Sequence, residues 1–322
     1  VHSTSVEHSF INYETIFSNN TTYYPIQELT DDDASFIMYT SGTTGKPKGA
    51  VLSHRNLFMN AMNIIFEGKS VHGESNILVP PQFHIAGLVL TIKGILTAGT
   101  TVLLEDFNPI EILQTIERER INTIFLVPAM WNFLFQVPNI RDYNLSSITM
   151  CATGAAISPV ELKKTIITYF ENATLLDHFG QSETTATTTI LMGDDALRKP
   201  ESVGVPLTNV EVRVVDEQMN DVAVGEIGEI VYRGPTIMKE YYNNPKATEE
   251  AFRGGWFHSG DLVTMDEEGF IYVVDRKSDM IISGGENIYP AEIEAVLYKL
   301  PNLLECAVVG IPDSNWGEKV IA

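Results

Sequence analysis

The chain has 322 residues, 44% of them hydrophobic, enough for a sizeable core and roughly two domains. Its formal net charge is −21, and so acidic a surface argues against nucleic acid and anionic membranes as partners. Two cysteines, Cys151 and Cys306, lie far apart in apolar runs without metal-ligand spacing, so they read as buried free thiols in a reducing cytoplasm. No apolar run reaches transmembrane length and no signal peptide is evident.

The first 20 residues show little pattern and begin with Val1, while the other end stops inside the apolar run Val320-Ile321-Ala322. The chain therefore reads as an internal piece of a longer one. Glu28–Asp33 is acidic and reads as a solvated lead-in to a strand, Phe36–Thr40. A second strand is expected at Ala50–Ser53. Between them runs Tyr39-Thr40-Ser41-Gly42-Thr43-Thr44-Gly45-Lys46-Pro47-Lys48-Gly49. Hydroxyls and amides can donate to phosphate oxygens, lysines offset their charge, and glycines let the backbone approach. A plain surface turn needs neither two lysines nor four hydroxyls. The segment is no Walker A loop: Gly42 and Gly45 are too close, Pro47 follows Lys46, and the flanks are two strands. A polyphosphate ligand is the expectation, and in so acidic a chain its site must be locally positive.

From about 105 to 190, strands alternate with helices, which predicts a parallel sheet covered on its faces. Asn108-Pro109 caps a helix with the apolar stripe Ile112, Leu113 and Ile116. Ile121–Val127, Ile148–Ala152 and Ala173–Phe179 read as strands. Ser158-Pro159-Val160-Glu161 reads as a capping box opening a helix through Phe170. Ligands bind beyond the carboxyl ends of parallel strands, where Thr153-Gly154-Ala155-Ala156 and Gly180-Gln181-Ser182-Glu183 fall. Small residues in the first leave room for a flat ring, and the carboxylate of Glu183 can hold a divalent cation.

Residues 201–276 turn β-rich. Val210–Val215 and Glu229–Arg233 alternate, and Leu262–Val274 reads as a hairpin around Asp266-Glu267-Glu268-Gly269. Counting back from that loop puts Asp261 and Arg276 at its open end, where both can hydrogen-bond a ribose diol; a weak surface ion pair is the plainer reading. After Ser283-Gly284-Gly285-Glu286-Asn287, a helix from Pro290 with apolar Ile293, Val296, Leu297 and Leu300 precedes a strand, Cys306–Val309.

These motifs, in this order, resemble the acyl-adenylate-forming (AMP-binding) superfamily over nearly the whole chain. Tyr39–Gly49 matches its phosphate-loop signature, Phe179–Glu183 is similar to its Y-G-x-T-E motif, Trp256–Asp261 to W-x-x-[TS]-G-D, and Val274-Asp275-Arg276 to the arginine motif before the hinge. Ser283–Asn287 with Tyr289–Glu294 looks like the start of the small mobile C-terminal domain, in the form of the fatty-acyl and aryl-acyl-CoA synthetase branch. The resemblance implies an α/β large domain (1–200), a β-rich, barrel-like subdomain (201–277) and the beginning of a small α+β domain (278–322). It implies an AMP-forming carboxylic acid–CoA ligase that takes a fatty or aryl acid, Mg²⁺, ATP and CoA. An adenylation enzyme loading a carrier protein and a non-catalytic nucleotide-binding protein stay open as alternatives, as does a homodimer.

Residue by residue, the resemblance gives the phosphates to Thr40, Ser41, Gly42, Thr43, Thr44, Gly45, Lys46 and Lys48, the α-phosphate to Ser182, and Mg²⁺ to Glu183. It frames adenine with Gly154, Ala155, Ala156, Phe179, Gly180 and Gln181, and assigns the ribose to Asp261 and Arg276. His84 would gate the acyl carboxylate, and Met130 and Trp131 would line an apolar acyl pocket. Gly285 would admit the CoA thiol, and Ser278 would be the hinge. Phe179 stands where tyrosine is usual, Ser278 where Asp or Lys is common, and the C-terminal lysine used in adenylation falls outside the chain; slow adenylation is therefore expected of this chain alone.

Overall fold

The computed structural model describes residues 28–40, 47–156, 158–298, 300, 303, 306–313 and 316–322. Strand β1 (Ala34–Thr40) pairs antiparallel with β2 (Lys48–Ser53), so the phosphate-loop segment joins two strands, as its flanks predicted. Helix α1 (His54–Glu67) starts at Ser53, whose hydroxyl accepts from the Asn56 amide while the Asn56 side chain accepts from the Ser53 amide. The same Asn56 side chain donates to the carbonyls of Pro235 and Ile237, tying this corner to the β-rich region.

A seven-stranded sheet follows. Its strands are β3 (Ser75–Leu78), β4 (Thr100–Leu103), β5 (Thr123–Phe125), β6 (Met150–Gly154), β7 (Thr174–Phe179), β8 (Thr189–Met192) and β9 (Val205–Pro206), in the order β4-β3-β5-β6-β7-β8-β9. Helices α2 (Ile85–Leu96), α3 (Pro109–Glu119), α4 (Pro128–Phe135) and α5 (Val160–Tyr169) make the crossovers between the parallel strands. The sheet is mixed rather than wholly parallel: β8 runs antiparallel to β7, and β9 to β8. A tight turn at Ser182–Thr185 returns the chain directly, with no room for a crossover helix.

Strand alternation splits the core in two. Phe125, Ala152 and Leu176 face α1 and α2, and their cluster runs on without a break into Tyr232 and Phe257 of the β-rich region. Ile124, Cys151 and Leu175 face α3, α4 and α5, together with Ile112, Leu113, Ile116 and Trp131. The predicted capping box before α5 is not formed. The Ser158 hydroxyl instead lies 3.2 Å from Thr153 Oγ1 and 3.4 Å from Asp177 Oδ1. The reason is the buried ion pair between Lys163 and Asp177 (2.7 Å), because a carboxylate taken out of water collects every donor in reach.

The β-rich region is an open four-stranded antiparallel sheet, not a closed barrel. It is ordered β10 (Glu211–Val215), β11 (Gly228–Arg233), β13 (Phe257–Met265), β14 (Ile271–Arg276). A two-residue strand, β12 (Glu240–Tyr241), leaves this sheet and pairs with β2. A short helix, α6 (Asp195–Arg198), lies between β8 and β9, and α7 (Pro245–Ala251) follows β12. At the C-terminal side, β15 (Ile281–Ser283), β16 (Glu286–Ile288), β17 (Val309–Asp313) and β18 (Gly317–Ile321) form a separate sheet in the order β16-β15-β18-β17. Helix α8 (Pro290–Leu297) is tied to β14 through the Ala291 amide and Asp275 Oδ2, 3.0 Å apart. The strand expected at Cys306–Val309 begins only at Val309, and Cys306 is half-buried outside it. Among the described residues, no helix is long and apolar enough to cross a membrane.

Candidate active site

A cavity of about 840 Å³ opens beyond the carboxyl end of β7, between the large sheet, the β1–β2 pair and the β13–β14 hairpin. Thr40 and Lys48 reach it from the two ends of the phosphate loop, and Gly180, Gln181, Ser182 and Glu183 from the turn after β7. Ser41, Gly42, Thr43, Thr44, Gly45 and Lys46 lie outside the described residues.

Glu183 is held by three hydrogen bonds among the described residues. It is buried, and its backbone carbonyl accepts from the Met238 amide at 2.8 Å. Its Oε1 accepts from the Tyr241 hydroxyl at 2.9 Å and, more weakly, from Thr40 Oγ1 at 3.4 Å. Burial and the adjoining Glu183 carboxylate push the Tyr241 phenol well above its ordinary pKa, so it stays a donor. The Lys48 ammonium sits 5.1 Å from the centre of the Tyr241 ring. Tyr241 arrives on β12, a strand too short to announce itself by periodicity, and the sequence reading missed it.

Gly180 is required for its lack of a side chain. A Cβ there would come within 2.1 Å of the Ala186 carbonyl oxygen, because the turn folds back on itself. Thr185 and Ala186 take positive φ (58° and 84°) to make that turn, held by the Thr185 hydroxyl donating to the Thr236 carbonyl at 2.7 Å. The Gln181 side chain crosses to the Ser259 carbonyl at 3.3 Å and so joins the turn to β13.

Asp261 and Arg276 are register partners on β13 and β14, and their side chains pair at 3.2 Å. Asp261 is only 4% exposed, whereas Arg276 is exposed and lines the cavity. Burial pushes the Asp261 carboxyl up to about 6; the Arg276 guanidinium opposes that rise, and the Glu183 and Glu229 carboxylates add to it. A second cluster lies beside this pair, also unread in the sequence. Glu229 Oε1 accepts from the Gly260 amide at 3.2 Å, while its Oε2 lies 3.5 Å from Lys277 Nζ and 3.1 Å from His258 Nδ1. The imidazole Nδ1 makes no aligned hydrogen bond there.

His84 is exposed and caps α2, its Nδ1 accepting from the Ala86 amide at 3.3 Å. It lines the cavity and is not a core histidine. Ala155 lines the cavity next to Gly154 and Ala156, and Ser278 lines it beyond Arg276. Of the described residues expected in the site, Gly154, Ala156, Asp261, Met130, Trp131, Phe179 and Gly285 are not on the cavity wall. Trp131 is wholly buried, with Nε1 donating to the Ala152 carbonyl at 3.1 Å and its ring stacked on Phe135. Met130 packs against the same outer core, so neither lines the cavity. Phe179 is half-buried and absent from the cavity wall, where its strand neighbour His178 stands instead. Gly285 also lies off the cavity. With Gly284 it forms the two-residue turn of the β15–β16 hairpin, at φ of 87° and 62°, which accounts for glycine there.

The donor set suits a magnesium–nucleotide complex. Magnesium is commonly held by one or two carboxylates together with phosphates and water. Glu183 offers one carboxylate, with Lys48, Arg276 and Lys277 on the same cavity, and among the described residues no cluster of three or more His, Cys, Asp or Glu is arranged to cage a metal.

Residues 3–242 match the AMP-binding enzyme family, and residues 292–322 match the AMP-binding enzyme C-terminal domain. The chain belongs to the AMP-binding enzyme family. Among relatives of this AMP-binding enzyme, feruloyl-CoA synthase of Amycolatopsis sp is 41% identical over 288 residues, which cover 89% of this chain and 58% of that protein. Long-chain-fatty-acid–CoA ligase FadD13 of Mycobacterium tuberculosis is 39% identical over 297 residues, with 91% and 58% covered. The structure of o-succinylbenzoate coenzyme A synthetase (MenE) from Bacillus subtilis in complex with ATP and magnesium ion superposes with a TM-score of 0.87 at 32% identity, over 95% of this chain and 63% of that one. The chain thus spans under two thirds of the length of these relatives.

Proposed function

We propose that the protein carrying this chain is an AMP-forming carboxylic acid–CoA ligase. The observation that supports this best is the Glu183 carboxylate, pinned by Tyr241 and Thr40 in a cavity it shares with Lys48 and Arg276. In the first half-reaction a substrate carboxylate oxygen attacks the α-phosphorus of ATP, and the bond to pyrophosphate breaks. In the second, the sulfur of CoA attacks the acyl carbon and AMP leaves.

The physical obstacle is repulsion. Two unit charges 4 Å apart repel by about 4 kcal/mol at an effective dielectric constant of 20. Lys46 and Lys48 offset part of this and stabilise charge gathering on the phosphates. A magnesium ion held by Glu183 would supply further neutralisation of the phosphate oxygens. Ser182 hydrogen-bonds the α-phosphate, Arg276 and Asp261 take the ribose diol, and the Gly154–Ala156 edge with Gly180 and Gln181 borders the adenine. His84, its Nδ1 already committed to the Ala86 amide, turns Nε2 to the acid's carboxyl group. Gly285 admits the thiol when the small domain, turning at Ser278, moves across the cavity. The two free thiols fit a reducing compartment, so the reaction is assigned to the cytoplasm.

The test is a panel of carboxylic acids offered to the intact protein, with AMP release followed with and without CoA. Release that depends on both acid and CoA supports the ligase. Release that ignores CoA overturns it.

A further inference from the structure

One part of the cavity wall is contributed by α1, α2, β5 and the turn after β7. Its side chains are Ile64, Ile85, Val89, Leu90, Phe125 and Ala186, all apolar. Two polar side chains are set among them, His178 and Thr187. Strand alternation explains how His178 arrives. Leu176 faces the inner core, and His178, two residues on, carries that face out into the cavity. Asp177 between them points the other way, to Lys163.

A histidine in an apolar wall calls for a partner. Nδ1 of His178 lies 3.4 Å from Thr187 Oγ1, and the ring stands 6.2 Å from that of Phe125. Nε2 has no hydrogen-bond partner among the described residues. Burial, aided by the Lys93 ammonium, pushes the His178 pKa down to about 4, so the imidazole is neutral at physiological pH. Lys93 itself is buried and paired with Glu74. A neutral imidazole has one donor and one acceptor, and the Thr187 hydroxyl can satisfy either tautomer at Nδ1. Nε2 therefore offers a single uncharged hydrogen bond inside the apolar part of the cavity. A hydroxyl complements it in both tautomers. A second carboxylate does not, because no free cation is offered there among the described residues.

We infer that His178 Nε2 recognises a hydroxyl carried by the acid substrate at the end remote from its carboxyl group. The preferred substrate is then an acid with an apolar body and a distal hydroxyl, not a plain hydrocarbon. This rests on the ligase reading above and goes beyond it in naming the substrate's chemistry.

The experiment compares matched acids in the intact protein: 4-hydroxycinnamic against cinnamic acid, and an ω-hydroxy fatty acid against its parent. Each pair is read as a ratio of kcat/KM in ATP–pyrophosphate exchange and as a ratio of Kd by calorimetry. The unsubstituted protein should favour the hydroxy acid of at least one pair by about tenfold, the worth of one neutral hydrogen bond. His178→Phe should bring that ratio to about one, and His178→Gln, which keeps a donor and an acceptor, should retain part of it. Should His178→Phe fail to fold, judged by ATP binding, the His178→Leu ratio takes its place. A ratio near or below one in the unsubstituted protein, or one unchanged by His178→Phe, overturns the inference. No exchange with any acid overturns the ligase reading, and the calorimetric ratio still decides the role of His178.

Discussion

The Tyr241 hydroxyl donates to Glu183 Oε1 at 2.9 Å, joining residues 58 positions apart in the chain. The bond exists because β12 adds to β2, which sets Tyr241 beside Lys48. It leaves the carboxylate fixed while its other oxygen stays without a partner among the described residues. Tyr241→Phe removes one oxygen from a well-packed ring, so the fold should survive. Apparent affinity for magnesium in ATP–pyrophosphate exchange should fall by about tenfold to a hundredfold, as when an outer hydrogen bond to a metal ligand is lost. A magnesium titration identical to that of the unsubstituted protein would sink the positioning role.

Asp261 is held in a setting that resists its charge. Its carboxyl is pushed up to about 6 from an ordinary value near 3.8, chiefly by burial. The sign follows from the raised value. The native state binds the proton more tightly than the unfolded chain does, so this contribution to stability is complete below about pH 4 and is lost as pH rises through about 6. At neutral pH the ionised group costs about 3 kcal/mol. Asp261→Asn should therefore raise Tm at pH 7.5 while giving no gain at pH 4, and it should weaken nucleotide binding by removing the partner of Arg276. Equal Tm changes at the two pH values would contradict the linkage.

How much of this was legible beforehand differs from residue to residue. The Asp261–Arg276 pairing followed from two alternating runs and a four-residue loop, because period-two patterning and turn length together set register. The helix at 109–119 followed from its Asn-Pro start and its apolar stripe. Tyr241 was invisible: a two-residue strand has no period, and its partner strand lies far away in the chain. Trp131 was misassigned because an aromatic residue on an apolar helix suits a cavity or a core equally well, and only the packing of α4 on Phe170 and Ala152 separates them. The Ser158 pattern matched a capping box, but a buried carboxylate nearby made a stronger claim on its hydroxyl. Local signals read local structure, and they lose to long-range burial where the two compete.

Lys163 and Asp177 show that competition in energetic form. Both are buried, 2.7 Å apart, and Lys163 also donates to the Pro200 carbonyl at 2.8 Å. Lys163→Met strips the carboxylate of its counter-charge without opening a large void. Stability should drop by about 3–5 kcal/mol, the usual result of orphaning one half of a buried pair. The double substitution Lys163→Met with Asp177→Leu should recover most of that loss, because the pair's attraction is largely consumed by desolvation. Urea midpoints of the three proteins decide it, and a double variant no more stable than the single would refute the account.

The turn after β7 gives the sharpest steric expectation. A Cβ on residue 180 would lie 2.1 Å from the Ala186 carbonyl oxygen and 3.0 Å from the Thr188 amide nitrogen, both backbone atoms that cannot rotate aside. The turn must then open, and it carries Ser182 and Glu183 with it. Gly180→Ala should therefore lower kcat/KM for ATP by at least about a hundredfold, since misplacing reacting groups by an ångström costs on that scale. The global fold should persist, because the rest of β7 stays paired with β6 and β8. Circular dichroism and a denaturation midpoint close to those of the unsubstituted protein, alongside the lost exchange activity, are the expected pair of results. Full activity in Gly180→Ala would mean that the turn does not hold the reacting groups in the way the geometry requires.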